Sequence, residues 1–91
     1  MPFKVVEVQG TPNPNAMKFV VDGMICEGAL SFFNAGSAAG YPLAERLFGI
    51  EGVRSVLILG DFVTVNKAAE AAWRPITAAV RKAISAAGPV S

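Results

Sequence analysis

Thr11-Pro12-Asn13-Pro14-Asn15-Ala16-Met17-Lys18-Phe19 constrains the folding of this chain more than any other run. Two prolines one residue apart lock φ at both positions and push Thr11 and Asn13 toward extended backbone. Neither Pro12 nor Pro14 can donate to a β-ladder, so the run cannot be the middle of a strand. An apolar alternation of Met17, Phe19 and Val21 follows at once. The stiff segment therefore reads as a shaped corner joining two strands.

On the near side of the corner, Phe3 to Val8 reads as a strand rich in β-branched and aromatic residues. Gln9 to Asn15 forms the corner itself. Ala16 to Val21 is the second strand, with Met17, Phe19 and Val21 on one face and Lys18 on the other. Asp22-Gly23 is a turn dipeptide. Ile25 to Glu27 fits neither strand nor turn decisively, and Ala29 to Phe33 reads as a third strand. Asn34 to Gly40 is small and polar, a loop with little structure of its own.

Pro42 suits the first turn of a short helix carrying Leu43 and Leu47 one turn apart, ended by Gly49 or Gly52. Val53 to Leu59 and Phe62 to Asn66 are two further strands, joined at Gly60-Asp61 by a type II′ turn. Val56 to Leu59 is apolar on both faces, as expected of an interior strand or one covered by a partner. Ala69, Trp73, Ile76, Val80, Ala83, Ile84 and Ala87 make a stripe at helical spacing. Pro75 either marks the first turn of that helix, the preferred reading, or kinks it near Ala71, and Gly88-Pro89 stops it. Arg74, Arg81 and Lys82 lie on its outer face.

The order strand, strand, strand, helix, strand, strand, helix has two amphipathic helices and one apolar surface for them to cover. The expected architecture is α+β, a two-layer sandwich with a mainly antiparallel sheet of about five strands and both helices on one face. The 91 residues are one domain, residues 1–91, and 53% of them are hydrophobic. A domain of this size buries only ~60–65% of its unfolded surface, so its stability is modest or aided by self-association.

Several functions are disfavoured by composition. The net charge is +1 with acids and bases interleaved, which argues against a nucleic-acid partner. No apolar run approaches the ~20 residues of a membrane span, and no signal peptide follows Lys4, so the expectation is a cytoplasmic chain without a membrane partner. There is no histidine, the commonest general base and metal ligand. Cys26 is the one cysteine, too few for an internal disulfide and far short of the four thiolates an iron–sulfur cluster normally takes. Asp22, Glu27, Glu45, Glu51, Asp61 and Glu70 sit at turns or helix ends, as caps and solvated charges do. Asn34 to Gly40 lacks the Gly-Lys-Ser/Thr element of a phosphate loop. The inventory argues against an enzyme and assigns no catalytic residue, metal ligand or cofactor.

Three blocks together resemble the N-terminal domain of Nfu-type iron–sulfur scaffold proteins. They are Thr11 to Phe19, Pro42 to Val53 and Asp61 to Lys67, the last followed by Trp73. The resemblance spans nearly the whole chain in order and spacing. It implies a domain associated with iron–sulfur cluster assembly, whose partners are assembly or recipient proteins. Members of this family commonly bind the cluster through a Cys-x-x-Cys pair in a second domain. No such pair occurs in these residues, so the chain is expected to be a stand-alone accessory and interaction domain. The corner reads either as a rigid strand connection, with Asn13 and Asn15 satisfying local backbone groups, or as a preorganised docking edge. The expected docking surface is Thr11, Pro12, Asn13, Pro14 and Asn15, with Lys18 beside it on the outward strand face. The alternatives are a self-associating structural module, with homodimers formed through Val56 to Leu59 or the last helix, and a small-molecule-binding protein.

Overall fold

A computed structural model describes residues 4–86, apart from the side chains of Cys26, Glu27 and Ala35. Five strands and two helices follow one another as β1 (Val5–Gly10), β2 (Ala16–Val21), β3 (Cys26–Phe32), α1 (Pro42–Phe48), β4 (Val53–Gly60), β5 (Phe62–Lys67) and α2 (Trp73–Ala86). The strands form one antiparallel sheet in the order β1-β2-β5-β4-β3. This is the expected α+β architecture in the expected element order.

Alternation along the strands sorts the residues onto two faces. Phe19, Val21, Phe32, Val56, Ile58, Val63 and Val65 are buried in one cluster with Leu43, Ala44 and Leu47 of α1 and Ile76, Val80, Ala83 and Ile84 of α2. Both helices thus cover the same face. Burying such side chains contributes ~1.5–3 kcal/mol each, which makes this cluster the main stabilising feature of the fold. The opposite face carries Glu7, Gln9, Lys18, Val20, Ser31, Leu57, Leu59, Phe62 and Thr64, and no described element covers it. β4 is interior in the ladder, with Val56 and Ile58 against the helices and Leu57 and Leu59 half-buried on the open face.

Two turns rest on glycine. Gly60 has φ +60° at the β4–β5 hairpin, whereas Asp61 has no positive φ, which is the type II′ pattern. The tip of that hairpin also anchors the β2–β3 link, because Val21 N–H donates to Asp61 O and Ile25 N–H to Gly60 O, both at 2.8 Å. Gly52 has φ +97°, and a Cβ there would lie 2.8 Å from the Ala71 Cβ.

Several expected boundaries move. Phe3 lies outside the described residues, and the first strand runs through Gln9 to Gly10 because both pair with β2. The undecided Ile25 to Glu27 stretch divides: Ile25 is buried, while Cys26 and Glu27 belong to β3, interrupted by an irregularity before Ala29. Glu27 is therefore in a strand and not at a turn. β3 ends at Phe32, so Phe33 is a bend residue. The supposed loop contains a 3-10 turn, Ala35–Ala38, capped by Asn34, whose Oδ1 accepts the Ser37 N–H at 2.9 Å. Gly49 ends α1 in right-handed backbone, so the positive φ falls three residues later at Gly52. Ala69 is exposed and precedes α2, whereas Pro75 does lie in its first turn. Ala87, Gly88 and Pro89 lie outside the described residues.

Candidate functional site

The Thr11 to Asn15 corner closes on itself through side chains suited to turns. Thr11 Oγ lies 2.8 Å from the Asn13 carbonyl and 3.0 Å from the Ala16 carbonyl, one hydroxyl proton serving both, and accepts the Asn13 N–H at 3.2 Å. Asn13 Oδ1 accepts the Asn15 N–H at 2.9 Å, an Asx turn. The Asn13 carbonyl also takes the Ala16 N–H at 3.0 Å. With φ locked at both prolines, few backbone freedoms remain.

Distant residues then fasten the corner to the body. The Lys67 N–H donates to the Asn15 carbonyl at 2.8 Å. The Lys67 ammonium donates to Asn15 Oδ1 at 3.0 Å and to the Ala68 carbonyl at 3.3 Å. It also sits 5.7 Å from the centre of the Trp73 ring, within cation–π range. Trp73, the first residue of α2, donates its indole N–H to the Pro14 carbonyl at 2.9 Å and packs on Phe19 at 6.4 Å between ring centroids. The half-buried Trp73 thus joins the core to the corner. Pro12, Asn13 and Pro14 are left exposed at the apex, with Thr11 and Asn15 half-buried beneath.

Of the residues expected at the site, the structure brings Thr11 to Asn15 together, with Lys18 three residues further on in β2. Lys18 lies on the open sheet face, its ammonium 4.1 Å from the centre of the Phe62 ring. Lys67 and Trp73 are the residues that reasoning from periodicity alone missed. Only the joint occurrence of the corner and the Asp61 to Lys67 block hinted at the link.

The corner is stiff and closely held, with its Pro12-Asn13-Pro14 apex exposed. Among the described residues no three His, Cys, Asp or Glu side chains group closely enough to hold a metal ion. The one Arg–Glu pair among them, Arg54 with Glu70 at 3.7 Å, is well exposed. An open groove of about 790 Å³ runs between the start of β4 and α2, lined by Ile50, Val53, Ala68, Ala71, Pro75 and Ile76 among others. Its lining is mainly aliphatic, and it was not foreseen. The 91 residues contain one cysteine and no histidine.

The fold is thus a small antiparallel α+β sandwich whose Pro-Asn-Pro corner is latched by Lys67 and Trp73. Residues 6–88 match the family model described as "Scaffold protein Nfu/NifU N terminal", and the chain belongs to that family. NifU-like protein 4, mitochondrial, of Arabidopsis thaliana is 39% identical over 69 residues, which are 75% of this chain and 24% of that protein. The human NFU1 iron-sulfur cluster scaffold homolog, mitochondrial, is 41% identical over 66 residues, 71% of this chain and 26% of that protein. The chain thus spans only about a quarter of the length of these relatives. Among solved structures, the solution structure of a NifU-like protein from Saccharomyces cerevisiae superposes with TM-score 0.78 at 27% identity, covering 88% of this chain and 74% of that one. The crystal structure of Staphylococcus aureus protein SAV1430 shares the fold with TM-score 0.74 at 22% identity, covering 88% and 96%. No described helix is long and apolar enough to cross a membrane.

Proposed function

We propose that this chain is a non-catalytic accessory domain of iron–sulfur cluster assembly that docks assembly or recipient proteins through its Thr11 to Asn15 corner. The observation that carries the reading is the latched corner: an exposed Pro12-Asn13-Pro14 apex held from beneath by Thr11, Asn15, Lys67 and Trp73. A surface held in one shape loses little conformational entropy on binding, which is what a recognition element needs. Family membership and the relatives' names supply the process. The single cysteine limits the domain to accompanying the cluster, which is cargo for another protein. Lys18 contributes from the neighbouring open face, extending the contact around the sheet end. We read residues 1–91 as one such domain, working in the cytoplasm.

Affinity purification from the native cell tests this. Iron–sulfur assembly or recipient proteins should co-purify with the wild type and be depleted with Asn13→Asp/Lys18→Glu, which alters the surface and spares the latch. Recovery of none of them refutes the docking role. Anaerobic reconstitution with iron and sulfide should leave the chain colourless, and a stoichiometric cluster lost in Cys26→Ser would refute cargo-free docking. The last helix does not support the rival self-associating reading, because its stripe from Ile76 to Ile84 is spent in the chain's own core.

A further inference from the structure

Both edges of the sheet carry an irregularity and an acidic residue, Glu7 in β1 and Glu27 in β3, but they leave different stretches open. On β1, Lys4 donates its N–H to Asp22 Oδ1, an irregularity interrupts the pairing between Val5 and Glu7, and Glu7 adds a charge. These are the devices by which edge strands avoid pairing with other chains. β3, the other outermost strand, has its irregularity before Ala29, and from there the sequence Ala29-Leu30-Ser31-Phe32-Phe33 has neither charge nor proline.

The register says which backbone groups this edge leaves without a partner among the described residues. Leu59 and Phe62 close the two-residue hairpin, so Leu59 and Leu57 turn their backbone groups toward β5, and Ile58 and Val56 turn theirs toward β3. Gly60, two residues on from Ile58, confirms the direction by accepting the Ile25 N–H. Leu30 and Phe32, opposite Ile58 and Val56, are consumed by that ladder. The N–H and C=O groups of Ala29 and Ser31 therefore face outward, on residues that are themselves exposed.

We propose that this edge pairs, antiparallel, with β3 of a second copy of the chain, joining two five-stranded sheets into one continuous sheet. The segment is self-complementary about Leu30. Ala29 of one copy exchanges hydrogen bonds with Ser31 of the other, Ser31 with Ala29, and the two Leu30 residues meet as the close pair between them. Leu30 is half-buried on the helix side, so the meeting covers apolar surface that one copy leaves open. Beyond Ala29 the irregularity at Gly28, with φ +118°, ends the regular pairing, so the contact centres on Ala29 to Ser31. The paired segments carry no charge, and the whole chain only +1, so copies do not repel. A short edge contact is smaller than the ~800 Å² per partner of a standard interface, so the dimer is weak, with Kd on the order of 10 μM to 1 mM.

Sedimentation velocity of the purified chain over that concentration range should show a monomer–dimer equilibrium. The amides of Ala29 and Ser31 should gain hydrogen-exchange protection as concentration rises. Ser31→Lys should weaken the dimer at least ~10-fold, the cost a charge imposes on strand pairing. Ser31→Pro should do the same while leaving the Leu30 and Phe32 ladder bonds in place, since it removes only an outward N–H. If the proline variant fails to fold, Ser31→Lys decides, because it leaves the backbone unchanged. A wild type that stays monomeric at ~1 mM overturns the proposal. So does a dimer that survives Ser31→Lys, or one lost in Phe62→Lys on the open face but not in the Ser31 variants.

Discussion

Replacing Trp73 by Phe isolates the latch from the core. The substitution keeps an aromatic ring at the start of α2 against Phe19 but removes the indole N–H that the Pro14 carbonyl accepts at 2.9 Å. A net intramolecular hydrogen bond contributes ~1 kcal/mol, and the exposed Pro14 carbonyl can turn to water, which keeps the loss near that figure. The smaller ring buries ~50 Å² less when fully enclosed, so a half-buried site loses roughly 0.6 kcal/mol of apolar burial at ~25 cal/mol per Å². The total is ~1.5 kcal/mol. For a domain of this size the urea m-value is ~1 kcal/mol/M, so the midpoint should fall by ~1.5 M. Far-UV circular dichroism is the appropriate probe, because the substitution removes the chain's only tryptophan. A midpoint change under ~0.3 M would refute the reasoning, showing that water replaces the indole without cost and the corner needs no latch.

Asn15→Ala and Lys67→Met should each destabilise the fold, and the double variant should lose less than their sum, with a coupling of ~0.5–1.5 kcal/mol in a denaturation cycle. Additivity within error would show that the 3.0 Å contact is energetically idle. Gly52→Ala meets both a positive φ and the Ala71 Cβ at 2.8 Å, so it should cost on the order of 2–3 kcal/mol and lower the melting temperature markedly. Asn34→Ala removes the cap on the 3-10 turn and should cost ~1 kcal/mol by thermal melt, with Asn34→Asp retaining most of it. Phe19→Ala empties the fully buried position beneath Trp73 and should cost ~3–5 kcal/mol, much of the stability of a domain this small.

How legible each part was depended on the range of the forces involved. The β2 and β5 alternations, the Gly60-Asp61 turn, Pro42 at the start of α1 and the buried stripe of α2 are all encoded within a few residues. Periodicity and turn chemistry reach that far and no further. The extension of β1 through Gln9 and Gly10 was not legible, because only pairing with Lys18 and Met17 makes those residues a strand. Cys26 and Glu27 likewise become strand by lying near Gly60. The 3-10 turn after Asn34 hid in a stretch of small residues whose cap bond spans only three positions, and its composition resembles any loop.

The candidate site divides in the same way. Thr11, Asn13 and the two prolines determine a stiff corner by local bonds alone, and the sequence by itself was sufficient to establish it. That the corner is held by Lys67 and Trp73, 52 and 59 residues away, was decided by tertiary structure. So was the sheet order β1-β2-β5-β4-β3, which leaves β1 and β3 as its two edges. The physical reason is common to both. Prolines and Asx turns act within one segment of backbone, whereas a lysine's or tryptophan's partner, and a strand's neighbour, exist only once the sheet order has brought them together.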